Sequence, residues 1–189
     1  MAESRARTGG RDAARTRARI LAVAQDLFAE RGYAGTSVAD IAGRLGTSKA
    51  ALYYHFSAKA DIAQALLAGP VEAYARLATA PGDRSAEELL AAVIDTTAEL
   101  HELVDVIGND PSLQSARGAL VSRSREINDD IVRVLAGSGP GRAGEVRAQA
   151  AYAVAKNGTL ALLAGGTGGL SPSDRAELLA AAVRALTPG

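Results

Sequence analysis

Ser37-Val38-Ala39-Asp40-Ile41-Ala42-Gly43-Arg44-Leu45-Gly46-Thr47-Ser48-Lys49-Ala50-Ala51-Leu52-Tyr53-Tyr54-His55-Phe56 is the stretch on which the reading of this chain turns. It opens on a capping-box pattern, with Asp40 where Glu is usual, so a hydroxyl and a carboxylate can each satisfy a backbone N–H at a helix start. Val38, Ile41, Ala42 and Leu45 then recur at helical spacing and form a buried face. Gly46 is free to take a positive φ. Thr47 is placed to cap a third helix over residues 48–54, anchored by Leu52 and Phe56. Two short helices about a Gly-containing turn make a helix-turn-helix. Ala42 and Gly46 are small enough for the helices to cross closely. Thr47, Ser48, Lys49, Ala50, Ala51, Tyr53 and Tyr54 are the small, polar or amphipathic side chains that a groove-facing surface needs. An Ala-rich helix pair with no ligand could share this turn. The run Tyr53-Tyr54-His55-Phe56 distinguishes it, because four ring-bearing residues in succession cannot all be buried on one helix. The whole chain holds only five Tyr and two Phe.

Outward from this stretch the signal is helical throughout. Alanine, the best helix former, occurs 42 times. A first helix over residues 12–31 carries Ile20, Val23, Ala24, Leu27 and Phe28 and ends at Gly32. Tyr33 packs the first helix on the second. A fourth begins near Ser57, with Gly69-Pro70 marking a kink or break before residues 71–79. A fifth, over residues 85–107, opens on Ser85-Ala86-Glu87-Glu88. A short helix and a longer one over residues 116–135 follow the turn Asn109-Asp110-Pro111. Helix eight spans residues 143–164, and the last runs from Ser171-Pro172-Ser173-Asp174 to Leu186. These elements give an all-α protein of nine to ten helices.

Composition narrows the function classes. The 189 residues contain no Cys and two His, His55 and His101, which disfavours disulfide, thiol and His-rich metal chemistry. No spaced Ser/His/Asp set, metal cluster or phosphate-cradling loop occurs; Gly165-Gly166-Thr167-Gly168-Gly169 lacks a Lys and a preceding strand. No catalytic residue, metal or cofactor is expected. Neither a signal peptide nor a membrane span is readable, so the expected setting is cytoplasmic. The charges, 21 Lys+Arg against 21 Asp+Glu, cancel. Residues 1–60 hold ten basic and five acidic side chains (+5), and residues 61–189 hold eleven and sixteen (−5). The balance is two opposed halves, a basic one suited to phosphates and an acidic one that they repel.

Gly32-Tyr33-Ala34-Gly35-Thr36-Ser37-Val38-Ala39-Asp40-Ile41-Ala42, continued by residues 46–56 and Lys59, resembles the DNA-binding signature of the TetR family over about residues 14–67. The resemblance implies a flexible basic arm (1–11), a three-helix helix-turn-helix DNA-binding domain (12–57) and a helical ligand-binding and dimerisation domain (58–189). By it, Thr36 or Ser37, Tyr53, His55 and Lys59 are phosphate contacts. Thr47, Ser48, Lys49, Ala50, Ala51 and Tyr54 face the groove. Lys49 can donate to guanine O6/N7, and Ala or Tyr can touch a thymine methyl. The arm, with Arg5, Arg7, Arg11, Arg15, Arg17 and Arg19 nearby, is either a solvated tail or a minor-groove element. Ala50 stands where many members have Gly, Thr47 where many have Val, and Ala58 and Ala60 where a capping residue and an acid are common.

The resemblance further implies a homodimer on a palindromic operator, released by a small-molecule effector, with a ligand-independent regulator or an activator as the alternative. The residues themselves support a cavity only in part. Thr97 and His101 interrupt the apolar stripe Leu90, Ile94, Val104. Asn128 lies beside Leu120, Ser124, Ile127, Ile131 and Leu135. Asn157 is read as facing inward with Val146, Ala150, Ala153, Leu160 and Ala164. Polar groups on apolar stripes require a partner, water or ligand. Arg123, Tyr74 and Tyr152 are weaker candidate ligand contacts. The small and apolar faces of helix eight and the last helix suit a helix-on-helix interface between two copies.

Overall fold

The computed structural model describes residues 2–79, 84–108, 113–164 and 169–187; side chains are described from residue 12 onward, apart from those of 106, 108, 114–117 and 119. All regular structure among them is helical. The elements are α1 (Ala2–Arg31), α2 (Val38–Leu45), α3 (Lys49–His55), α4 (Lys59–Thr79), α5 (Ala86–Gly108), α6 (Gln114–Ala136), α7 (Gly141–Ala153), a π turn (Val154–Gly158), α8 (Thr159–Leu163) and α9 (Pro172–Leu186). Because α7, the π turn and α8 follow without a break, the described residues form eight helical rods, slightly fewer than expected.

The chain divides into two compact units. One comprises residues 1–69 and 102–118, the other 70–101 and 119–189. In the first, Ile20, Ala24, Leu27 and Phe28 of α1, Ile41 and Ala42 of α2, and Leu52 of α3 are buried together with Tyr33 and Phe56. Phe28 and Tyr33 meet edge to face at 5.3 Å, which ties the end of α1 to the loop that follows. In the second unit, Leu89, Leu90, Val93 and Ile94 of α5, Ile127, Ile131 and Leu135 of α6, Ala148, Ala151 and Tyr152 of α7, Ala155 of the π turn and Ala182 of α9 form one core.

Caps stand where local chemistry demands them. Ser37 is the N-cap of α2, its Oγ accepting from Asp40 N while Asp40 accepts from the Ser37 N–H at 2.8 Å. Gly46 ends α2 at φ 67°, a left-handed conformation that other residues rarely adopt. Gly35 serves a different purpose: a Cβ there would lie 2.3 Å from the Arg31 carbonyl oxygen. Ser85 and Glu88 exchange a second capping box at the start of α5. Ser171 accepts from Asp174 N at the start of α9.

Several boundaries differ from the sequence reading. α1 is already helical at Ala2, so the backbone of the expected arm, residues 2–11, belongs to the helix; its Ala and Arg are strong helix formers. Ser48, not Thr47, caps α3, accepting from Ala51 N at 3.2 Å. At α4 the Ala58 N–H is satisfied by Asp61 Oδ2 at 3.0 Å rather than through Ser57. α4 continues through Pro70 without ending, because the missing N–H costs the helix one hydrogen bond and not its course. The expected break at residues 165–169 and the turn at 109–111 fall largely outside the described residues. No described helix is long and apolar enough to cross a membrane.

Candidate nucleic-acid interface

The site begins with one inward residue. Leu52 is 1% exposed and roots α3 in the first core, which turns the rest of this short helix outward. Thr47, Ser48, Lys49, Ala50 and Ala51 are exposed. Tyr53 is half exposed and Tyr54 is 84% exposed. The four successive rings therefore divide, with Tyr53 and Tyr54 outside, His55 half-buried and Phe56 in the core. Tyr54 and His55 meet edge to face at 5.1 Å. An aromatic side chain left this open in water supplies contact area at little conformational cost.

Arginine 17 holds the far end of α3. Its guanidinium donates to the His55 carbonyl oxygen at 3.1 Å and lies 4.0 Å over the Phe56 ring. A cation at a helix C-terminus complements the helix dipole and satisfies an orphan carbonyl. Sequence reading placed Arg17 among the arm-associated arginines. Its role in orienting α3 depends on a contact 38 residues away and had no local signal. A bidentate pair, Arg44 to Glu30 at 2.9 and 2.8 Å, braces α2 against α1. The Arg44 hydrogen bonds hold the Glu30 carboxyl below its ordinary pKa. Asp40 is likewise held low, first by the Ser37 hydroxyl and then by the Ser37 N–H.

The expected phosphate contacts are placed unequally. Thr36 is buried, and its hydroxyl donates to the Leu27 and Gly32 carbonyl oxygens at 3.1 and 3.0 Å, so it is a loop anchor without an open face. Ser37 is exposed, but its hydroxyl donates to Asp40 at 2.5 Å. Lys59 turns its ammonium back onto the same loop. Its Nζ donates to the Tyr33 and Thr36 carbonyl oxygens at 2.8 and 2.9 Å and sits 4.0 Å over the Tyr33 ring. Tyr53 and His55 stand at the end of α3.

The second unit gathers three of the six candidate ligand residues. Thr97, buried on α5, donates to the Val93 carbonyl oxygen at 2.6 Å, so its hydroxyl oxygen accepts from Tyr74 at 2.5 Å. Asn128 Oδ1 accepts from the Tyr152 hydroxyl and from Lys156 Nζ, the latter at 3.1 Å. Lys156 Nζ also donates to the Tyr152 oxygen at 3.2 Å and lies 4.5 Å from the Tyr74 ring centre. The other three stand apart. His101 pairs through Nδ1 with the Ala98 carbonyl of its own helix at 2.8 Å. Arg123 pairs with Glu126 on an exposed face. Asn157, read as inward, is exposed, as are Val146, Ala150 and Leu160. The face turned inward is Ala148, Ala151, Tyr152, Ala155, Thr159 and Leu163. Both faces are Ala-rich, so periodicity could not choose between them. Lys156 was missed for a similar reason, since a lysine in a polar-flanked stretch ordinarily reads as surface.

An exposed recognition-type helix rooted by one leucine and braced against α1 and α2 defines the first unit as a helix-turn-helix domain. Residues 20–66 match the family model of the bacterial regulatory proteins of the tetR family, so this domain is similar to the DNA-binding domains of that family. Over 69 residues it is 44% identical to the HTH-type transcriptional regulator TtgR of Pseudomonas putida, a stretch covering 36% of this chain and 33% of that protein. The match thus spans about a third of the relative. The fold is shared more widely. A TetR/AcrR-type transcriptional regulator from Aquifex aeolicus superposes with a TM-score of 0.75 at 22% identity, covering 88% of this chain and 96% of that one. AmtR of Mycobacterium smegmatis does so at 0.63 and 29% identity, covering 90% and 86%.

Proposed function

We propose that the chain is a homodimeric transcriptional regulator that represses from a palindromic operator and is released when a small molecule binds its C-terminal domain. Residues 12–57 serve as the DNA reader and residues 58–189 as the sensing and dimerising body, with the Arg-rich residues 1–11 adding salt-sensitive affinity. The observation that carries this reading is the outer face of α3: Lys49, Tyr53 and Tyr54 stand exposed on a helix whose opposite side is fixed in the core. A short helix presented this way fits the major groove, with Lys49 able to donate to base edges and the tyrosines to phosphates or thymine methyls. The +5 charge of residues 1–60 favours approach to DNA, and the −5 of the remainder opposes it.

Dimerisation is supported by apolar side chains exposed on α7 and α8. Val146, Leu160 and Leu162 are 53%, 39% and 49% exposed, alongside Ala150. Covering them with the same face of a second copy removes that surface from water. One helix-turn-helix reads few base pairs, so two on half-sites about 34 Å apart supply the specificity. Ligand binding that favours a different half-site spacing then releases DNA, which requires several kcal/mol of differential affinity. The setting for such a protein is the cytoplasm.

Selection from a random duplex library tests this directly. A two-fold symmetric site is expected. Recovery of no enriched site by the folded protein would refute specific operator binding.

A further inference from the structure

We propose that Lys156, with Tyr152 and Tyr74, recognises the carboxylate of a monoanionic organic acid, which takes the place of the Asn128 amide oxygen. This rests on the reading of the C-terminal unit as the sensing domain and names the class of ligand it senses.

Three observations about Lys156 itself support the assignment. Lys156 is drawn largely into the protein, and that burial lowers the pKa of its ammonium. None of the ion pairs among the described residues includes it. Its partners are all neutral: an amide oxygen at 3.1 Å, a phenol oxygen at 3.2 Å and the face of the Tyr74 ring. A desolvated cation is costly without a counter-charge, and hydrogen bonds to neutral atoms leave the charge itself unbalanced.

The donors also converge. Lys156 Nζ and the Tyr152 hydroxyl both aim at one oxygen, Asn128 Oδ1. Two donors meeting at a single acceptor suit a carboxylate oxygen better than an amide carbonyl, because charge-assisted hydrogen bonds are shorter and stronger. In this geometry Asn128 Oδ1 stands in for the ligand's oxygen. One ammonium with neutral neighbours matches one negative charge, whereas a phosphate dianion would call for further cationic donors.

The backbone adds an independent mark. Lys156 lies within the π turn Val154–Gly158, and such turns are rare and occur frequently at functional sites. The turn packs against α9, where a Cβ on Gly158 would come within 2.6 Å of Leu178 Cδ2. The surroundings indicate the rest of the ligand. Val93, Ile94, Ile127 and Tyr152 belong to the buried core on which Val71 and Tyr74 pack, so an aromatic or aliphatic acid would meet hydrocarbon beyond its carboxylate.

Asn128→Asp offers a decisive variant, because it places a fixed carboxylate beside Lys156 in the position argued for the ligand. The full chain is titrated with benzoate and hexanoate and with their neutral amides at millimolar concentration, read by calorimetry and thermal shift. Wild type should bind the acids and not the amides. Asn128→Asp should melt higher than wild type and bind the acids roughly tenfold more weakly or worse. Lys156→Met should lose acid binding. Equal responses to acid and amide, no response to either acid, or undiminished acid binding by Asn128→Asp would each overturn the proposal. Operator release by the same acids is measured separately. Acid binding without release would leave the site intact and remove the release mechanism.

Discussion

The outer face of α3 and the cluster around Lys156 draw on the same side chains, tyrosine and lysine beside small hydroxyl residues, yet they are completed in opposite ways. On α3, Lys49, Tyr53 and Tyr54 stand exposed, and Lys49 and Tyr53 make no side-chain hydrogen bond to any other described residue. Around Lys156 the Tyr74 and Tyr152 hydroxyls, Asn128 Oδ1 and the ammonium itself are all engaged, and no buried side-chain nitrogen or oxygen among the described residues lacks a partner. Exposed groups of the first set are satisfied by water. The second set must satisfy itself, because an unpaired polar group away from water is expensive. Hydrogen-bond saturation therefore says little about whether a cluster binds anything. At Lys156 the informative feature is unbalanced charge.

The largest effect that would break this contrast lies on α3 itself. Leu52→Ala should cost about 2–5 kcal/mol of stability in chemical denaturation, since it removes a fully buried anchor. Two positions on, Tyr54→Ala should leave stability within about 0.5 kcal/mol and still weaken operator binding. Loss of stability at Tyr54 would show that the outer face is structural.

Lys59 tests an intermediate case, a cation that the resemblance assigns to DNA and the structure aims at the loop. Lys59→Ala should cost about 1.5–3 kcal/mol through the lost bonds to the Tyr33 and Thr36 carbonyls. It should weaken binding to all sequences alike. A fall of about 0.9 in the slope of log affinity against log salt would identify a phosphate contact as well. An unchanged slope would make the residue purely a loop latch.

At Lys156 the expected changes are smaller and carry a sign. A lysine whose folded pKa is lowered binds its proton less tightly than the unfolded chain does. Its penalty is full below the folded pKa and fades as pH rises toward the ordinary 10.5, so stability should increase with pH across that window. Above about pH 10 the trend reverses, because burial raises the pKa of Tyr74 and Tyr152 and only the unfolded chain readily ionises them. Lys156→Met should be neutral or stabilising by about 1 kcal/mol near neutrality, and its pH profile should lack the rise. A rise of the same size in the variant would place its origin elsewhere.

The smallest effect belongs to the capping box. Ser37→Ala should cost about 1 kcal/mol. Asp40 has a folded pKa below its ordinary value, so its contribution is present at neutral pH and is lost as pH falls through the folded value. Acid titration of Ser37→Ala should show a weaker loss than wild type.

Much of the first unit was legible in advance. Ser37 and Asp40, Gly32 and Gly46, and the buried set Ile41, Ala42, Leu52 and Phe56 lie close in the chain and encode caps and faces locally. The second unit was less so. Thr97 and Asn128 were recognisable as polar groups on or beside apolar stripes and Tyr74 only as a weaker candidate, and the structure brings them near one another. His101 and Asn157 carried the same signal, and they settle on their own helix or at the surface, as does the weaker candidate Arg123. Polarity on a stripe shows that a group needs a partner, but not which partner it finds.

By itself the sequence determined that the fold is all-α, where the caps of α2, α5 and α9 fall, and that a basic half precedes an acidic one. Those features depend on residues a few positions apart and on summed charge. Tertiary structure decided which Ala-rich face of α7 and α8 turns inward, that Arg17 closes the end of α3, and that Lys156 is drawn from a nominal surface position to the rings of Tyr74 and Tyr152. Each depends on contacts between helices distant in the chain, and helices whose faces are equally apolar leave that choice to packing.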